Sequence, residues 1–307
     1  MMKKYISLVI VLLVVLILVI FFFPAHITAK ILNQTASVFF IDSVTTKNLR
    51  QKYEDEKPIK ILVVPGHDPS SYGTIDQGVR ELDLNLELGR YLAERLERDE
   101  RFEVTLAQTK DGFLPALAEY FEQEKNLIWQ FRQKKAEIMN ALVGEGKVTR
   151  ESVVDHISAS NDTALKLYGI NHWANENKID LVIHIHFNDY PGRRQDVVPK
   201  YTGYAIYLPE HQYSNSKASW DIGQDIADRL STKFPSSNHP KETAVLIPDQ
   251  ELIAIGAFNT LDATSVLVEY GYIYEPSYAP ATPADRSQNL KQLARLTASG
   301  VEDFFKD

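Results

Sequence analysis

The sequence predicts an α/β fold: a mostly parallel sheet with helices on both faces, an inserted helical hairpin and an N-terminal transmembrane helix. Three observations predict it. Short apolar runs of strand length alternate with stretches whose apolar residues recur at helical spacing, the pattern of a covered parallel sheet. The alternation is broken once, by about 50 residues with helical spacing and no strand. At the N-terminus, "ISLVIVLLVVLILVIFFF" from Ile6 to Phe23 gives roughly 18 residues without a charge, about the length that spans a bilayer.

Taken in order, residues 1–24 read as a signal-anchor. The run is longer than the apolar core of a cleaved signal peptide, and "AHITA" is a poor cleavage site. Lys3 and Lys4 precede it and hold the N-terminus on the cytoplasmic side, so the rest is expected at the cell membrane, single-pass, facing outward. Residues 25–57 show no strong periodicity and read as a juxtamembrane stalk. From 58 to 307 the chain reads as one catalytic-sized domain. "KILVVP" (60–65) is a first strand ending at Pro-Gly. Leu84, Leu88, Leu92 and Leu96 mark a helix over 81–97. "FEVTLA", "DLVIHIHF", "TGYAIYLP" and "TSVLVEYG" are further strands, and "SWDIGQDIADRL" and "LKQLARLTASGVEDFF" are helices. The inserted hairpin covers 111–160. Its first part carries Leu117, Phe121, Ile128, Phe131, Ile138 and Leu142 as one apolar stripe interrupted by Glu124 and Lys135, and Thr149 reads as a new N-cap.

Composition narrows the chemistry. The chain is 44% hydrophobic and 24% charged, which is ordinary for a folded protein. A net charge of −8 argues against nucleic acid as a partner. There are no cysteines, so disulfides and thiolate sites are excluded and a transition metal must be held by His, Asp or Glu.

Ligands gather outside the carboxyl ends of strands in open α/β sheets, and four side chains fall there. His67 follows the first strand, Glu81 opens the next helix, and His186 and Glu269 close later strands. Two imidazoles and one carboxylate make a zinc set with an open position, and a further glutamate supplies an acid/base. Spacing alone leaves bland alternatives. They are a loop histidine, a carboxylate favoured by the helix dipole, a hydrogen-bonded core histidine and a buried structural acid.

Three separated segments then carry a resemblance. "ILVVPGHDPSSYGTIDQGVRELDLNLELGRYLAERL", "ANENKIDLVIHIHFND" and "TSVLVEYGYI", with the closing helix, resemble the zinc-dependent N-acetylmuramoyl-L-alanine amidases, amidase type 3. The resemblance covers 60–109 and 165–305. It implies Zn2+ held by His67, Glu81 and His186, Glu269 as catalytic acid/base, and hydrolysis of the amide between N-acetylmuramic acid and L-alanine in peptidoglycan. His184 stands where the family usually has Ser, on the face of His186. It reads either as a substrate contact or as packing with a backbone hydrogen bond. Asn188 and Asn175 match family asparagines and read as fixing turns and strand ends, with Asn188 and Asp68, like His184, also candidates for supporting the metal ligands or meeting substrate.

The sequence departs from the family at three points. Val64 replaces an Asp, Asp68-Pro69 replaces Gly-Gly and puts a charge near the metal, and Ile170 stands where an arginine is usual. The altered loop keeps a zinc hydrolase of a different amide in view; a non-catalytic wall-binding or partner-binding module is the other alternative, against which the retained ligand set and acid/base argue. Family members carry helical insertions that occlude the site. The 111–160 segment therefore reads either as an arm moved by a regulatory protein or as a rigid decoration that widens the substrate groove.

Overall fold

The computed structural model describes residues 44–151, 159–190 and 200–306. The apolar run 6–23 lies outside them. Among the described residues no helix is long and apolar enough to cross a membrane.

Six strands form the main sheet: β1 (Ile59–Pro65), β2 (Phe102–Leu106), β3 (Leu181–Asn188), β4 (Ala205–Pro209), β5 (Leu246–Asp249) and β6 (Thr264–Tyr272). Their order is β2-β1-β3-β6-β4-β5. Every neighbouring pair is parallel except β6 with β4. The central strands are Val-, Ile- and Leu-rich because both faces are covered, leaving no solvent side for polar residues. β5 was not anticipated. It is four residues long and contains Pro248, which suits the edge position it occupies.

Side chains alternate between the two faces. Ile61, Val63, Ile183, Ile185, Val266 and Val268 share a core with three helices, α2 (Glu81–Leu96), α6 (Ser216–Ser231) and α7 (Pro283–Lys306). The opposite face carries Leu62, Val64 and Val182. It is covered by α3 (Pro115–Gln123), α4 (Lys125–Gly144) and α5 (Asn161–Glu176) through Leu117, Phe121, Ile128, Leu165 and Tyr168. The inserted helices therefore complete the core on one sheet face. Of the two interruptions read in the apolar stripe, Glu124 is a break between helices, ending α3 and preceding α4, while Lys135 lies within α4.

This changes how the insertion is tested. Removing 112–160 would strip Leu117, Phe121 and Ile128 from that core, so lost activity after deletion would report unfolding rather than regulation. Phe121 is buried, stacks edge-on against Phe113 at 5.1 Å and abuts Gly169. Phe121→Ala is expected to destabilise the protein by about 3–5 kcal/mol, measured by urea unfolding.

Two boundaries differ from the sequence reading. The end of the predicted stalk is a helix, α1 (Thr46–Glu54), capped by Thr45 and packed by Leu49 and Tyr53 onto the main core. Lys52 pairs with Asp180 and Tyr53 donates to Asp99, which fixes α1 to the base of the sheet. Thr149 caps no helix among the described residues. Gln212 accepts from its N–H at 2.9 Å, and its carbonyl accepts from Gln212 and from Gln250 at 3.1 and 2.8 Å. The N-cap of α5 is Ser160, whose hydroxyl accepts from the Thr163 N–H.

Candidate metal centre and active site

The strand that carries His67 ends in a sharp turn. Gly66 still continues the ladder, donating to the Ile185 carbonyl at 2.8 Å. His67 then adopts φ +68°, a left-handed conformation uncommon for a residue with a side chain. Two side chains hold it there. Gln108 donates to the carbonyls of Pro65 and His67 at 2.5 and 2.6 Å, and Asn85 donates to the carbonyl of Gly66 at 3.1 Å. Asn85 lies one turn after Glu81 on α2, so the helix that presents the carboxylate also fixes the histidine turn.

His67, Glu81 and His186 come together. Both imidazoles converge on Glu81 Oε1, with His67 Nε2 at 3.0 Å and His186 Nδ1 at 3.1 Å. The two rings lie edge to face, 5.0 Å between centroids. The Glu81 carboxylate is buried. It also accepts from the Phe187 N–H at 3.2 Å and the Thr74 N–H at 3.1 Å, which set its direction. Two glycines make room. A Cβ on Gly66 would collide with the His186 ring, and one on Gly73, at φ +73°, would fall on Glu81 Oε2 and His67 Nε2. The ligand atoms of the three residues lie within 4.8 Å of one another.

Electrostatics follow from this crowding. Burial pushes the Glu81 carboxyl up, but hydrogen bonds and charge from the two imidazoles outweigh it and hold it well below the usual carboxylate range. Burial lowers both histidines. At His67 the Glu81 interaction wins and raises its affinity for a proton, whereas at His186 burial and the neighbouring His67 charge keep it lowered.

Glu269 sits beside His186 in the register of β6 with β3, so the two side chains share a face. Burial raises its pKa well above the ordinary value, helped by the charges of Glu81 and Glu242. Its Oε2 is buried without a hydrogen-bond partner. His67, Glu81, His186, Glu269, His184 and Asn188 all line one cleft of 640 Å³ at the carboxyl ends of β1, β3 and β6. A groove of 710 Å³ elsewhere is lined by charged residues such as Arg98, Asp99 and Arg101 and contains none of the predicted site residues.

The remaining candidates divide. His184 is fully buried and hydrogen-bonded to the backbone of Ala254. Burial, aided by the His186 charge, pushes its pKa down to about 3, so it is a neutral ring. This is the packing alternative, although Nε2 has no partner. Asp68 is buried at the cleft wall. It accepts from the Ser70 N–H and hydroxyl at 2.7 and 2.5 Å and from Lys166 Nζ at 2.8 Å. Lys166 is thus the counter-charge of the altered loop. Its i, i+4 spacing from Asp162, which it also bonds, was the available signal. Ile170, at the place of the family arginine, is packed in the core. Asn175 fixes a turn, donating to the Thr260 carbonyl and accepting from the Asp262 N–H. Of the 111–160 segment, only Phe113 and Ala159 reach the cleft wall among the described residues.

Comparison with known proteins bears on the family and the fold. Residues 61–303 match the profile of a family described as N-acetylmuramoyl-L-alanine amidase. No curated relative matches the chain. Among solved structures, an N-acetylmuramoyl-L-alanine amidase from Clostridium difficile 630 superposes with a TM-score of 0.52 at 15% identity, covering 82% of this chain and 98% of the other. The apo form of the amidase Ami1 from Mycobacterium abscessus gives 0.51 at 14%, covering 81% and 100%. At these identities the two structures speak for the fold.

Proposed function

The chain belongs to the N-acetylmuramoyl-L-alanine amidase family, and from that premise we propose that it is a zinc-dependent amidase that cuts the amide between N-acetylmuramic acid and L-alanine in peptidoglycan. The observation that carries the metal is the donor set: two imidazole nitrogens and one carboxylate oxygen within 4.8 Å, for which Gly66 and Gly73 leave the room that a Cβ would fill. Nitrogen and oxygen donors of this kind suit Zn2+. When bound, the metal supplies Lewis-acid chemistry at neutral pH.

The chain's own residues do the rest. Glu81, aimed by the Phe187 and Thr74 amides, keeps negative charge between the imidazoles. Glu269 moves the proton. Its Oε2 has no competing protein donor, so it takes a proton from the attacking water and returns it to the leaving nitrogen. Water oxygen bonds to the carbonyl carbon, the carbon–nitrogen bond breaks, and L-alanine leaves with a free amine.

The proposal extends to place. With residues 6–23 as a membrane anchor, the catalytic domain stands on the extracytoplasmic side, where the wall is. A regulatory protein acting on the 111–160 insertion would reach the cleft through the ends of that segment, near Phe113 and Ala159, since α3 and α4 are committed to the core.

The test is hydrolysis of purified peptidoglycan by the full chain in detergent with added zinc. New L-alanine amino termini are expected. Zinc bound without products would redirect the activity to another amide. Neither zinc nor products would favour the binding-module reading.

A further inference from the structure

Glu242 is a buried carboxylate that the proposed reaction does not use. It lies between α6 and β5. Its Oε1 accepts from Asn188 Nδ2 at 2.8 Å and from the Tyr207 hydroxyl at 2.9 Å. Its Oε2 accepts from the Ser237 hydroxyl at 2.5 Å and the Tyr272 hydroxyl at 3.0 Å. A carboxylate oxygen offers two acceptor sites, so all four are filled by donors. Both tyrosines are kept in their donor form, because burial and the Glu242 charge push their pKa values up.

This fixes an orientation that an asparagine otherwise leaves open. An Asn amide can turn over and exchange its oxygen for its nitrogen. Here the flipped form would set Oδ1 against an acceptor-only carboxylate. Nδ2 must therefore face Glu242, and Oδ1 faces away from it. Asn188 closes β3 on the face of His186 and lines the cleft. Its Oδ1 meets no donor among the described residues. A fixed acceptor two residues beyond His186 is matched by a ligand that brings an N–H.

We propose that Asn188 binds a backbone N–H of the substrate's peptide through Oδ1, and that Glu242 is the positioning residue that presents that oxygen to the cleft. The inference rests on the amidase reading for the identity of the peptide. It adds a specificity contact on the peptide side of the scissile bond. Asn188 is half-buried on the cleft wall, and once a bound peptide excludes water there, an unmatched acceptor discriminates against ligands that lack the donor.

The test pairs variants with a modified ligand. Zinc-loaded full chain is given a soluble muramoyl-tripeptide and its analogues N-methylated at each peptide amide beyond the scissile one. For the parent, one methylation raises KM by about tenfold, the size of one hydrogen bond, with kcat little changed. Asn188→Ala shows the raised KM with the unmodified substrate and no further loss on methylation, which a merely structural role would not produce. Asn188→Asp sets two carboxylates together and loses at least as much. Adding Glu242→Gln, whose amide donates to Asp while the second Asp oxygen faces the cleft, recovers KM to within about threefold. Calorimetric binding of the free tripeptide and its methylated forms to metal-free protein reads the same contact without turnover. Equal affinity for all forms overturns the proposal, even if the chain proves to be an amidase. A methylation penalty confined to the parent upholds it, even if turnover fails.

Discussion

Glu269→Gln is expected to lower kcat on peptidoglycan by about 10³-fold, the middle of the range for loss of a positioned acid/base, while zinc content stays unchanged. Gln keeps the volume and polarity of the buried side chain and removes only its proton chemistry. The count of new L-alanine amino termini reads the effect, and retention of a tenth of parental turnover would remove Glu269 from the mechanism. Stability moves the other way. Burial and the Glu81 and Glu242 charges raise the Glu269 pKa above its ordinary value of 4.5. The folded state of the metal-free parent then binds the proton more tightly than the unfolded state does. Its stability falls as pH rises from 4.5 toward the raised value. Glu269→Gln has no such loss, so the metal-free variant should out-melt the metal-free parent at pH 7 and match it more closely at pH 4.

Glu81→Gln should be equally disabling by a different route. The two imidazoles meet on one oxygen of this carboxylate. The Phe187 and Thr74 amides bond different oxygens of the carboxylate, so a Gln keeps one of them and sets its NH2 against the other, at a cost of about 1–3 kcal/mol that should leave the fold intact. What is lost is the negative charge among the ligands. Loss of groups that merely support ligands costs metal affinity about 10–100-fold. Removal of a ligand itself should exceed that, as measured by competition with a chromophoric chelator. Saturating zinc at about 1,000 times Kd should stabilise the parent by ~4 kcal/mol, and the same concentration should shift the melting of Glu81→Gln little. An undiminished shift would mean that zinc is held elsewhere.

The sequence carried the site better than its surroundings, and the reason is range. His67, Glu81, His186 and Glu269 each sit at the end of an element whose own composition announces it, such as the Val- and Ile-rich β1 and β3 or the Leu-spaced α2. The residues that hold them in place depend on partners far along the chain. Gln108 reaches the His67 carbonyl across 41 residues, Lys166 reaches Asp68 across 98, and Glu242 reaches Asn188 across 54. No local pattern marks a glutamine or glutamate for such a task. Helix α1 was hidden for a related reason. Only Leu49 and Tyr53 of its residues are buried, too few for a periodic signal, and the core supplies what its sequence lacks. Thr149 was misread because a threonine that caps a helix and one clasped by two distant glutamines look alike in one dimension.

The strand order has a temporal consequence. His67, Glu81 and His186 belong to β1, α2 and β3, and β1 pairs directly with β3. Glu269 arrives on β6, the last strand to be synthesised, and pairs with β3 on its other side. A growing chain released through residue 190 already contains every member of the histidine–carboxylate cluster but not Glu269, the proposed acid/base. Domains form as their segments emerge, N-terminal parts first. On the proposed function, the cluster would lack its acid/base until this final strand closes the centre of the sheet.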